Sequence, residues 1–348
     1  MSACASVRGR PLRVAAYTGG QDVPSARFRV RQYVERMQQS GIELDEFASG
    51  VGQYPPDATW RRPAWLLAAC AERGLQIPGS HRYDAVIFQR ELLSTLLTLE
   101  PLFSRPRILD VDDAIWLHRR GAFAGKLAAR CDAVICGNAY LADYFGQHCE
   151  RIFLLPTAVD AKRFFPLRES LTPTQIIGWS GTGGNLIELE RIEPGLHAVM
   201  SRFPKAQLRV ICNRRPTLQS LPADRVEYVR WTPAIEVSAL QDLQIGLMPL
   251  QDTAWARGKC SFKMLTYMAC GVPVVASPVG MNGEVLAMGS FGFGASTQDE
   301  WVDALTMLLG DPDAARRMGD RGRAVIDTRF SVEVLSLRLA EIIRTVVG

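Results

Sequence analysis

Long apolar runs are missing from this sequence of 348 residues. A helix that crosses a bilayer needs about 20 mostly apolar residues, and no run of about 18 occurs here. The opening residues, MSACASVRGRPLRVAAY, also lack the apolar segment of a signal peptide. We therefore expect a cytoplasmic protein, for which peripheral contact with the inner face of a membrane stays open.

Clusters of metal-binding residues are missing as well. The four histidines are scattered, and the eight cysteines include no Cys-x-x-Cys pair, so the spacing of a zinc site is absent. Cys136 and Cys212 lie inside apolar segments, where cysteine acts as a small hydrophobic residue. We expect reduced thiols and no bound metal.

The charge is too evenly balanced for a nucleic-acid-binding protein. The formal net charge is +4, with 40 Lys and Arg against 36 Asp and Glu. The excess lies in residues 1–166, where 21 basic residues stand against 17 acidic ones. This bias falls far short of a nucleic-acid footprint, and a solvated basic surface explains it better than an anionic partner does.

Short β-branched or apolar runs alternate with helical patterns, which predicts an α/β fold with parallel sheets. One series begins at LRVAAY (12–17) and a second at IIGWSG (176–181). Between them, residues 164–175 carry two prolines and polar residues, which is typical of a linker. We therefore predict two domains, residues 1–166 and residues 167–330.

The segment from Lys259 to Glu284 is the most informative part of the chain. It predicts a helix, MLTYMAC, that ends at Gly271, followed by a strand, PVVAS, buried on both faces. Ligands bind beyond the carboxyl ends of such strands. Because Lys259, Ser261 and Lys263 stand at the start of the helix, we predict a phosphate site there. A solvent-facing loop is the alternative.

Two glycine-containing turns are further candidates. Thr18-Gly19-Gly20 precedes a helix with Arg27 and Arg29, which could hold the phosphate or carboxylate of an acceptor. A tight turn with solvated arginines explains that pattern equally well. Residues 178–185, GWSGTGGN, fit a phosphate cradle before a helix. They lack the third glycine of G-x-G-x-x-G and the G-K-[ST] of a P-loop, which weakens a nicotinamide-binding interpretation.

Asp110, Asp112 and Asp113 follow one predicted strand. Carboxylates this close repel one another, so they need a cation, arginines or a proton-transfer role. The D-x-D spacing alone would suit Mg²⁺ or Mn²⁺. Asp112 or Asp113 could instead cap a helix in AIWLHRR. We predict that one aspartate caps and that another is functional.

These motifs resemble the retaining, metal-independent nucleotide-sugar glycosyltransferases of family 4. LTYMACGVPVVASPVGMNGEV (265–285) is similar to their L-E-A-M-A-x-G-x-P-V-V-A-S-x-V-G-G-x-x-E-V, and LPTAVDAKRFFP (155–166) to P-N-G-V-D-x-x-x-F-x-P. The likeness spans most of the chain. It implies the GT-B architecture, in which two Rossmann-like domains face each other across a cleft. It also implies that a C-terminal helix, residues 331–348, crosses back to the first domain.

The sequence departs from that family at two important positions. The family's E-x(7)-E glutamates are placed near the donor sugar and the ribose, and they correspond to Gly258 and Thr266 here. A subset of similar sequences carries a lysine and an aromatic residue around this helix, as Lys263 and Tyr267 do. Donor recognition must then use other groups, so the donor's identity is not implied.

The resemblance implies a role for each candidate residue. The substrate is a nucleotide diphosphate sugar, no cofactor or metal is needed, and Asp112 or Asp113 orients or deprotonates the acceptor hydroxyl. Arg27 and Arg29 are candidates for binding the acceptor, which is a glycan, a lipid-linked molecule or a small molecule. The candidates for the donor diphosphate are Gly181, Thr182, Gly183, Lys259, Ser261 and Lys263. The candidates for the donor sugar or nucleoside are Trp231, Thr266, Tyr267, Asn282 and Glu284.

Three other functions compete with this interpretation. A sugar-nucleotide epimerase of similar fold would need a second set of carboxylates and histidines, and the four histidines show no obvious one. A non-catalytic nucleotide-sugar binding protein would explain the missing glutamates. A metal-dependent transferase would use Asp110 and Asp112, and it would lose activity in EDTA.

Overall fold

The computed structural model describes residues 10–118, 121–167 and 174–348. The chain forms two compact units. Unit 1 runs to Leu155 and takes in Leu335–Gly348, and unit 2 is Pro156–Val334. The two units are therefore not simple halves of the sequence, because the end of the chain belongs to unit 1.

The predicted linker, 164–175, begins inside unit 2 by this division. Its central residues, 168–173, lie outside the described residues. Residues 1–9, at the start of the segment for which the sequence predicts no signal peptide, also lie outside them. The end of the helix predicted in AIWLHRR, residues 119–120, also lies outside them.

Unit 1 is built on parallel strands. The strands described are β1 (Leu12–Thr18), β2 (Ile42–Ala48), β3 (Ala85–Gln89), β4 (Arg107–Val111), β5 (Ala133–Cys136) and β6 (Ile152–Leu154). Their order in the sheet is β2-β1-β3-β4-β5-β6. The short apolar runs at 12–17, 84–89, 107–112, 132–138 and 151–156 predict all of these strands except β2. In β2, buried Ile42 and Leu44 alternate with exposed Glu43 and Asp45. That alternation suits an edge strand, whereas continuous apolar runs mark the buried strands.

The helices described in unit 1 are mostly short. They are α1 (Pro24–Arg29), α2 (Val34–Gln39), α3 (Arg62–Ser80), α4 (Ala122–Ala128) and α5 (Ala139–Phe145). The apolar or aromatic residues at 28, 30, 33, 34 and 37 predict a single helix over 27–41. The structure divides it into α1, a 3₁₀ turn at Arg31–Tyr33, and α2. Val30 lies at the break with φ of −126°, outside the helical region.

Unit 2 is a second parallel sheet. The strands described are β7 (Ile176–Gly181), β8 (Gln207–Cys212), β9 (Val226–Arg230), β10 (Ile245–Met248), β11 (Val274–Ala276) and β12 (Gly292–Gly294). Their order is β12-β11-β10-β7-β8-β9. The chain moves outward from β7 through β9 and then returns to the other side of β7 with β10. In such sheets, the crevice at the carboxyl ends of the two strands flanking this reversal is where ligands bind.

The helices of unit 2 include the one predicted from MLTYMAC. They are α6 (Leu186–Arg191), α7 (Glu193–Arg202), α8 (Ser238–Gln241), α9 (Ala254–Arg257), α10 (Phe262–Ala269), α11 (Met281–Leu286), α12 (Gln298–Gly310) and α13 (Pro312–Val325). Gly271 follows α10 with φ of 72°, which confirms the predicted left-handed cap. A last helix, α14 (Val332–Val347), begins in unit 2, and its residues from Leu335 onward belong to unit 1.

Candidate functional site

Lys263 lies at the reversal of the unit 2 sheet. Its Nζ sits 4.7 Å from the centre of the Trp179 ring, whose residue is buried at the end of β7. A Cβ at position 181 would come within 2.7 Å of that Nζ and 2.4 Å of the Trp179 ring. Gly181 thus leaves the space that the lysine occupies, and the indole face stabilises its cation.

Lys259 repeats this arrangement one turn earlier in the chain. Its Nζ lies 5.5 Å from the centre of the Trp255 ring, in α9. Lys259, Lys263 and Trp179 together line a small cavity of about 30 Å³ beyond the ends of β7 and β10. The neighbouring Arg257 is instead paired with Asp252, at 2.6 and 2.9 Å. The structure therefore brings together the two lysines that the sequence predicts for a diphosphate.

The Lys263 ammonium loses its proton at lower pH than an ordinary lysine does. The pKa of Lys263 is lowered to about 7, chiefly by burial and then by repulsion from Lys259, while Cys212 and Glu188 act in the opposite direction. Among the described residues, no carboxylate forms an ion pair with Lys263 within 4 Å. A buried lysine without such a partner is suited to an anion that arrives as a ligand.

A hydrogen-bonded chain braces the loop that carries the lysines. Ser261, at the start of α10, has φ of 52° and donates to Asn282 Oδ1 at 2.7 Å, and Asn282 Nδ2 donates to the Ser277 carbonyl at 3.0 Å. Gly280 lies so close that a Cβ would come within 2.7 Å of the Arg257 carbonyl oxygen. Ser261 and Asn282 are both buried, so we revise their predicted ligand contacts to a positioning role.

Thr266 and Tyr267 also turn out to be internal. Thr266 Oγ1 donates to the Lys263 carbonyl at 2.7 Å, within α10. The Tyr267 hydroxyl accepts from the Ser180 N–H at 2.7 Å, and its ring packs on Gly246, where a Cβ would come within 2.4 Å. We therefore revise the predicted contact of Tyr267 with the donor, because its fully buried side chain ties α10 to β7 and β10.

The turn after β7 is only partly open to a ligand. Gly183 is buried, its N–H donates to Asn213 Oδ1 at 2.8 Å, and its carbonyl accepts from Arg214 at 2.8 Å. Because the Gly183 N–H already donates to Asn213, we no longer assign it a hydrogen bond to the phosphate. Thr182 and Gly184 are exposed beside it. Thr182 accepts a hydrogen bond from Asn185 at 3.1 Å.

A larger cavity of about 350 Å³ adjoins the lysines. It shares Glu188, Pro249 and Leu250 with the small cavity, and Asp252 and Ser277 also line it. The Glu188 carboxylate accepts from the Gln251 N–H at 2.8 Å, which fixes the chain after β10. This cavity lies beyond the carboxyl ends of β10 and β11, next to the two cations.

Two further candidates lie elsewhere in unit 2. Trp231 follows β9 and its side chain hydrogen-bonds to Glu236, which is paired with Arg163 at 2.9 Å. Glu284 is exposed on α11. Neither residue lines the cavities at the lysines.

In unit 1, the predicted aspartates gather around an arginine. Arg90 follows β3 with φ of 61°, donates to Asp112 at 2.6 Å, and also donates to Asp113. Burial acts to raise the pKa of Asp112, but Arg90, Arg29 and a hydrogen bond with Ser25 together outweigh it, and the net pKa is lowered. Ala114 occupies the N-cap position of the next 3₁₀ turn, Ile115–Leu117, and no described side chain caps that turn. The predicted helix capping by an aspartate is therefore wrong, since Arg90 engages both side chains.

Arg29 does not point to a ligand. Its guanidinium donates to both oxygens of Asp110, at 2.5 and 3.0 Å, and to the Leu155 carbonyl at 2.7 Å. Both side chains of this pair are almost fully buried. Arg29 is a structural residue, which corrects its predicted role in binding an acceptor. Arg27 lies partly exposed, with its guanidinium 4.8 Å from the Phe28 ring centre.

The glycines before α1 also serve packing. A Cβ at Gly19 would come within 2.3 Å of Gln53 Oε1, and the Gly19 carbonyl accepts from the Gln53 N–H at 3.0 Å. This supports the tight-turn interpretation over the anion-binding one.

Sequence reasoning missed Trp179, Glu188 and Arg90. Arg90 had a readable signal, because a charged residue directly after a buried strand occupies the same sheet edge as Asp112. Trp179 and Glu188 had none, since their roles depend on which neighbour the fold places beside them.

Within residues 10–118, 121–167 and 174–348, no three His, Cys, Asp or Glu side chains are grouped so that they could hold a metal ion. None of the helices in the same ranges has the length and apolar character that crossing a bilayer requires.

Sequence comparisons relate the chain to known enzymes. Residues 184–311 match the family described as glycosyl transferases group 1. The chain is also 27% identical over 222 residues to a GDP-mannose-dependent monoacylated alpha-(1-6)-phosphatidylinositol monomannoside mannosyltransferase of Corynebacterium glutamicum. That match covers 58% of each protein, so the likeness extends over little more than half of the relative.

Solved structures resemble almost the whole chain. Anabaena HepE in complex with UDP and glucose has a TM-score of 0.71 at 14% identity, covering 96% of this chain and 100% of that one. Sucrose-phosphate synthase from Thermosynechococcus elongatus has 0.68 at 16%, covering 96% and 98%. WaaG, a glycosyltransferase involved in lipopolysaccharide biosynthesis, has 0.66 at 13%, covering 95% and 99%. These likenesses confirm the predicted fold class, and the family match supports the prediction of a glycosyltransferase.

Proposed function

We propose that this chain is a glycosyltransferase that moves a sugar from a nucleotide diphosphate sugar to a hydroxyl acceptor. We further propose that it acts with retention of configuration, without a metal ion, as a member of the family 4 subset that lacks the E-x(7)-E glutamates. The observation that carries the proposal is the placement of Lys259 and Lys263 over tryptophan rings at the reversal of the unit 2 sheet. That reversal lies in the unit that matches group 1 glycosyl transferases.

The lysines supply the chemistry that sugar transfer needs most. Cleaving the bond between the anomeric carbon and the diphosphate leaves negative charge on the departing oxygen. Fixed cations at that position stabilise the transition state more than the ground state. Lys259 and Lys263 would carry that charge, which removes the need for a metal ion in this role.

The acceptor hydroxyl must lose its proton as the new bond forms. Asp112 and Asp113 are the candidates, and both are held by Arg90. Because Arg90 lowers the pKa of Asp112, this carboxylate is ionised at neutral pH and is a weak base. Orienting the hydroxyl by accepting its hydrogen bond therefore suits it better than removing the proton.

The comparisons also suggest substrates to test. The Corynebacterium relative is described as GDP-mannose-dependent and as acting on a phosphatidylinositol mannoside, while HepE was solved with UDP and glucose. We propose that the acceptor is a lipid-linked molecule or a glycan. We also propose that this chain is cytoplasmic and meets its acceptor at the membrane face. The donor should be sought among GDP-, UDP- and CDP-sugars by thermal shift.

The decisive test is turnover of the donor found in that screen. We expect donor hydrolysis or transfer that is unchanged by EDTA, because lysines rather than a metal hold the diphosphate. Activity lost in EDTA and restored by Mg²⁺ or Mn²⁺ would favour the metal-dependent alternative. Binding without turnover, under every acceptor, would favour the non-catalytic binding protein that the absence of glutamates at Gly258 and Thr266 suggests.

Donor affinity should depend on pH through Lys263. Below pH about 7 the ammonium is already charged, whereas above it binding must take up a proton, because the arriving diphosphate raises the pKa of Lys263. We therefore expect affinity to fall by up to about tenfold between pH 7 and pH 8, following proton linkage. The measurement is the dissociation constant of a sugar nucleotide by calorimetry across this range.

Two features make that measurement specific. The diphosphate of a sugar nucleotide is a diester, so it does not titrate near neutral pH. Lys263→Arg is the matched variant, because arginine keeps its charge across the range and should flatten the profile. An equally steep profile in Lys263→Arg would assign the titration to another group.

A further inference from the structure

The helix α3 and the 3₁₀ turn before it, Thr59–Arg61, present an apolar stripe to solvent. Trp60 is 75% exposed, Leu67 is 73% exposed and Leu75 is 84% exposed. Exposed small or apolar residues fill the positions between and beyond them, namely Ala64, Ala68, Ala71 and Pro78. Spacings of three and four residues place all of these on one helical face.

The opposite face of α3 holds it to unit 1. Ala69 and Arg73 are buried, and the Arg73 guanidinium donates to the Thr18 carbonyl at 2.6 Å and the Phe47 carbonyl at 3.0 Å. Trp65 donates to the Gly52 carbonyl at 3.2 Å. Because that face is fixed by hydrogen bonds, the apolar stripe is a permanent surface rather than a core face that happens to be uncovered.

Positive charge flanks the stripe. Between Thr59 and Arg82 the sequence has four arginines and one acidic residue, Glu72, and of these arginines Arg73 is buried on the opposite face of α3. The Glu72 carboxylate is turned away, since it accepts from the Gly50 N–H at 2.8 Å and the Ser49 hydroxyl at 3.0 Å. Arg61 and Arg82 are exposed at the two ends of the stripe.

From this surface we infer that α3 docks unit 1 on a bilayer that contains anionic lipids. An exposed apolar face of this length is rare on soluble monomers. A helix that lies in the bilayer interface combines such a face with flanking cations, which here are Arg61 and Arg82. Trp60, with Arg61 stacked 4.8 Å from its ring centre, fits the headgroup level, where aromatic residues concentrate. A protein partner would need no such rim of positive charge.

The inference deepens the proposed location at the membrane face, but it can be tested separately from sugar transfer. Docking concerns unit 1 alone, whereas the donor site lies in unit 2. Nucleotide binding, measured without vesicles, therefore tests the proposed function by itself. Vesicle binding, measured without nucleotide, tests the docking.

The test is flotation of the full chain with vesicles of phosphatidylcholine, with and without phosphatidylglycerol. We expect binding to vesicles that contain phosphatidylglycerol, weaker binding to the neutral ones, and a decrease with added salt. The double variant Leu67→Glu/Leu75→Glu should lower the partition coefficient by about tenfold or more, because two apolar side chains no longer enter the bilayer. Both sites are exposed, so this variant should fold.

The matched control is Leu337→Glu, which changes an exposed leucine on α14, 67% exposed, and should leave vesicle binding unchanged. Equal loss in both variants would mean that the effect is a general one of added charge, and it would overturn the assignment to α3. No flotation of the unaltered chain at low salt would also overturn it. Light scattering tests the alternative that the stripe binds a second copy of the chain. If the unaltered chain is a dimer that does not bind vesicles, and Leu67→Glu/Leu75→Glu converts it to a monomer, the stripe is a dimer interface and not a membrane-binding surface.

Discussion

Lys263→Ala should weaken the binding of a nucleotide diphosphate sugar by about 10- to 150-fold, the loss expected for one charge-assisted hydrogen bond of roughly 1.5–3 kcal/mol. Binding of the matching nucleoside, which has no phosphate, should change little. The difference arises because the ammonium of Lys263 lies at the strand ends over Trp179 and has no ion-pair partner within 4 Å among the described residues. Calorimetry with the sugar nucleotide and the nucleoside gives both constants.

Two glycines provide an independent check of the same geometry. Gly181→Ala would place a Cβ within 2.7 Å of Lys263 Nζ, so the lysine must move and diphosphate affinity should fall. Gly184→Ala is its matched control, because no atom lies within 4 Å of the added Cβ there. The two substitutions make the same chemical change in the same turn. A larger loss of diphosphate affinity in Gly181→Ala than in Gly184→Ala would therefore arise from the added Cβ occupying the space beside Lys263.

Lys205→Ala controls for loss of any positive charge, because Lys205 is exposed on the same unit and lines neither cavity. It should leave both constants unchanged. If Lys263→Ala weakened nucleoside and sugar nucleotide equally, the lysine would be supporting the fold of the site rather than holding phosphate. Equal effects of Gly181→Ala and Gly184→Ala on diphosphate affinity would also argue against Lys263 as the group that holds the phosphate.

Much of the fold could be predicted from the sequence because buried parallel strands have a local signature. VVA in β11 and AVIC in β5 are continuous apolar runs, and Gly271 marks the end of α10 through its left-handed backbone. Two of the four edge strands, β2 and β12, were missed because they lack this signature. β2 alternates with acidic residues, and β12 is only Gly-Phe-Gly.

The candidate site was predictable as a segment but not residue by residue. The sequence locates Lys259, Lys263 and Tyr267 on one stretch of chain, and it predicts that all three contact the donor. The fold separates them, because α10 turns Lys263 toward the sheet edge and Tyr267 under Gly246. Which side chain meets a ligand depends on helix phase relative to the sheet, and this is a long-range property that spacing alone does not contain.

The same limit explains Arg29 and Asp110. Each appeared suited to a ligand because it is charged and lies near a strand end or helix start. They are 81 residues apart in sequence, and the sheet brings them together as a buried pair. A charged residue at a predicted strand end can therefore either contact a ligand or form a buried ion pair. Which of these occurs depends on the residue that the fold places beside it.

Arg29→Ala should be among the most destabilising substitutions in unit 1, costing about 3–5 kcal/mol of unfolding free energy, as expected when one partner of a buried ion pair is removed. It leaves the Asp110 carboxylate buried without its counter-charge, and it removes the donor to the Leu155 carbonyl. Since the chain has two units, urea unfolding should be followed by hydrogen exchange in each. The loss should appear in the amides of β4 and β5 rather than in unit 2.

The loss should also depend on pH. Burial raises the pKa of Asp110, and removing Arg29 takes away its main opposing influence. A carboxyl group with a raised folded-state pKa is stable when protonated, so the folded variant gains as pH falls and loses as pH rises through that pKa. The penalty of Arg29→Ala should thus be smallest in mild acid, and a further Asp110→Asn should relieve part of it at neutral pH.

The matched control is Arg10→Ala, which removes a second bidentate arginine–aspartate pair of unit 1, with Asp84 at 2.6 and 2.9 Å. Arg10 is largely exposed, so its loss should cost about 1 kcal/mol or less. Similar costs for the two variants would mean that Arg29 is dispensable for folding, and its role as an acceptor ligand would need to be considered again. A large cost confined to Arg29→Ala would leave Arg27 as the arginine of that helix still open to an acceptor.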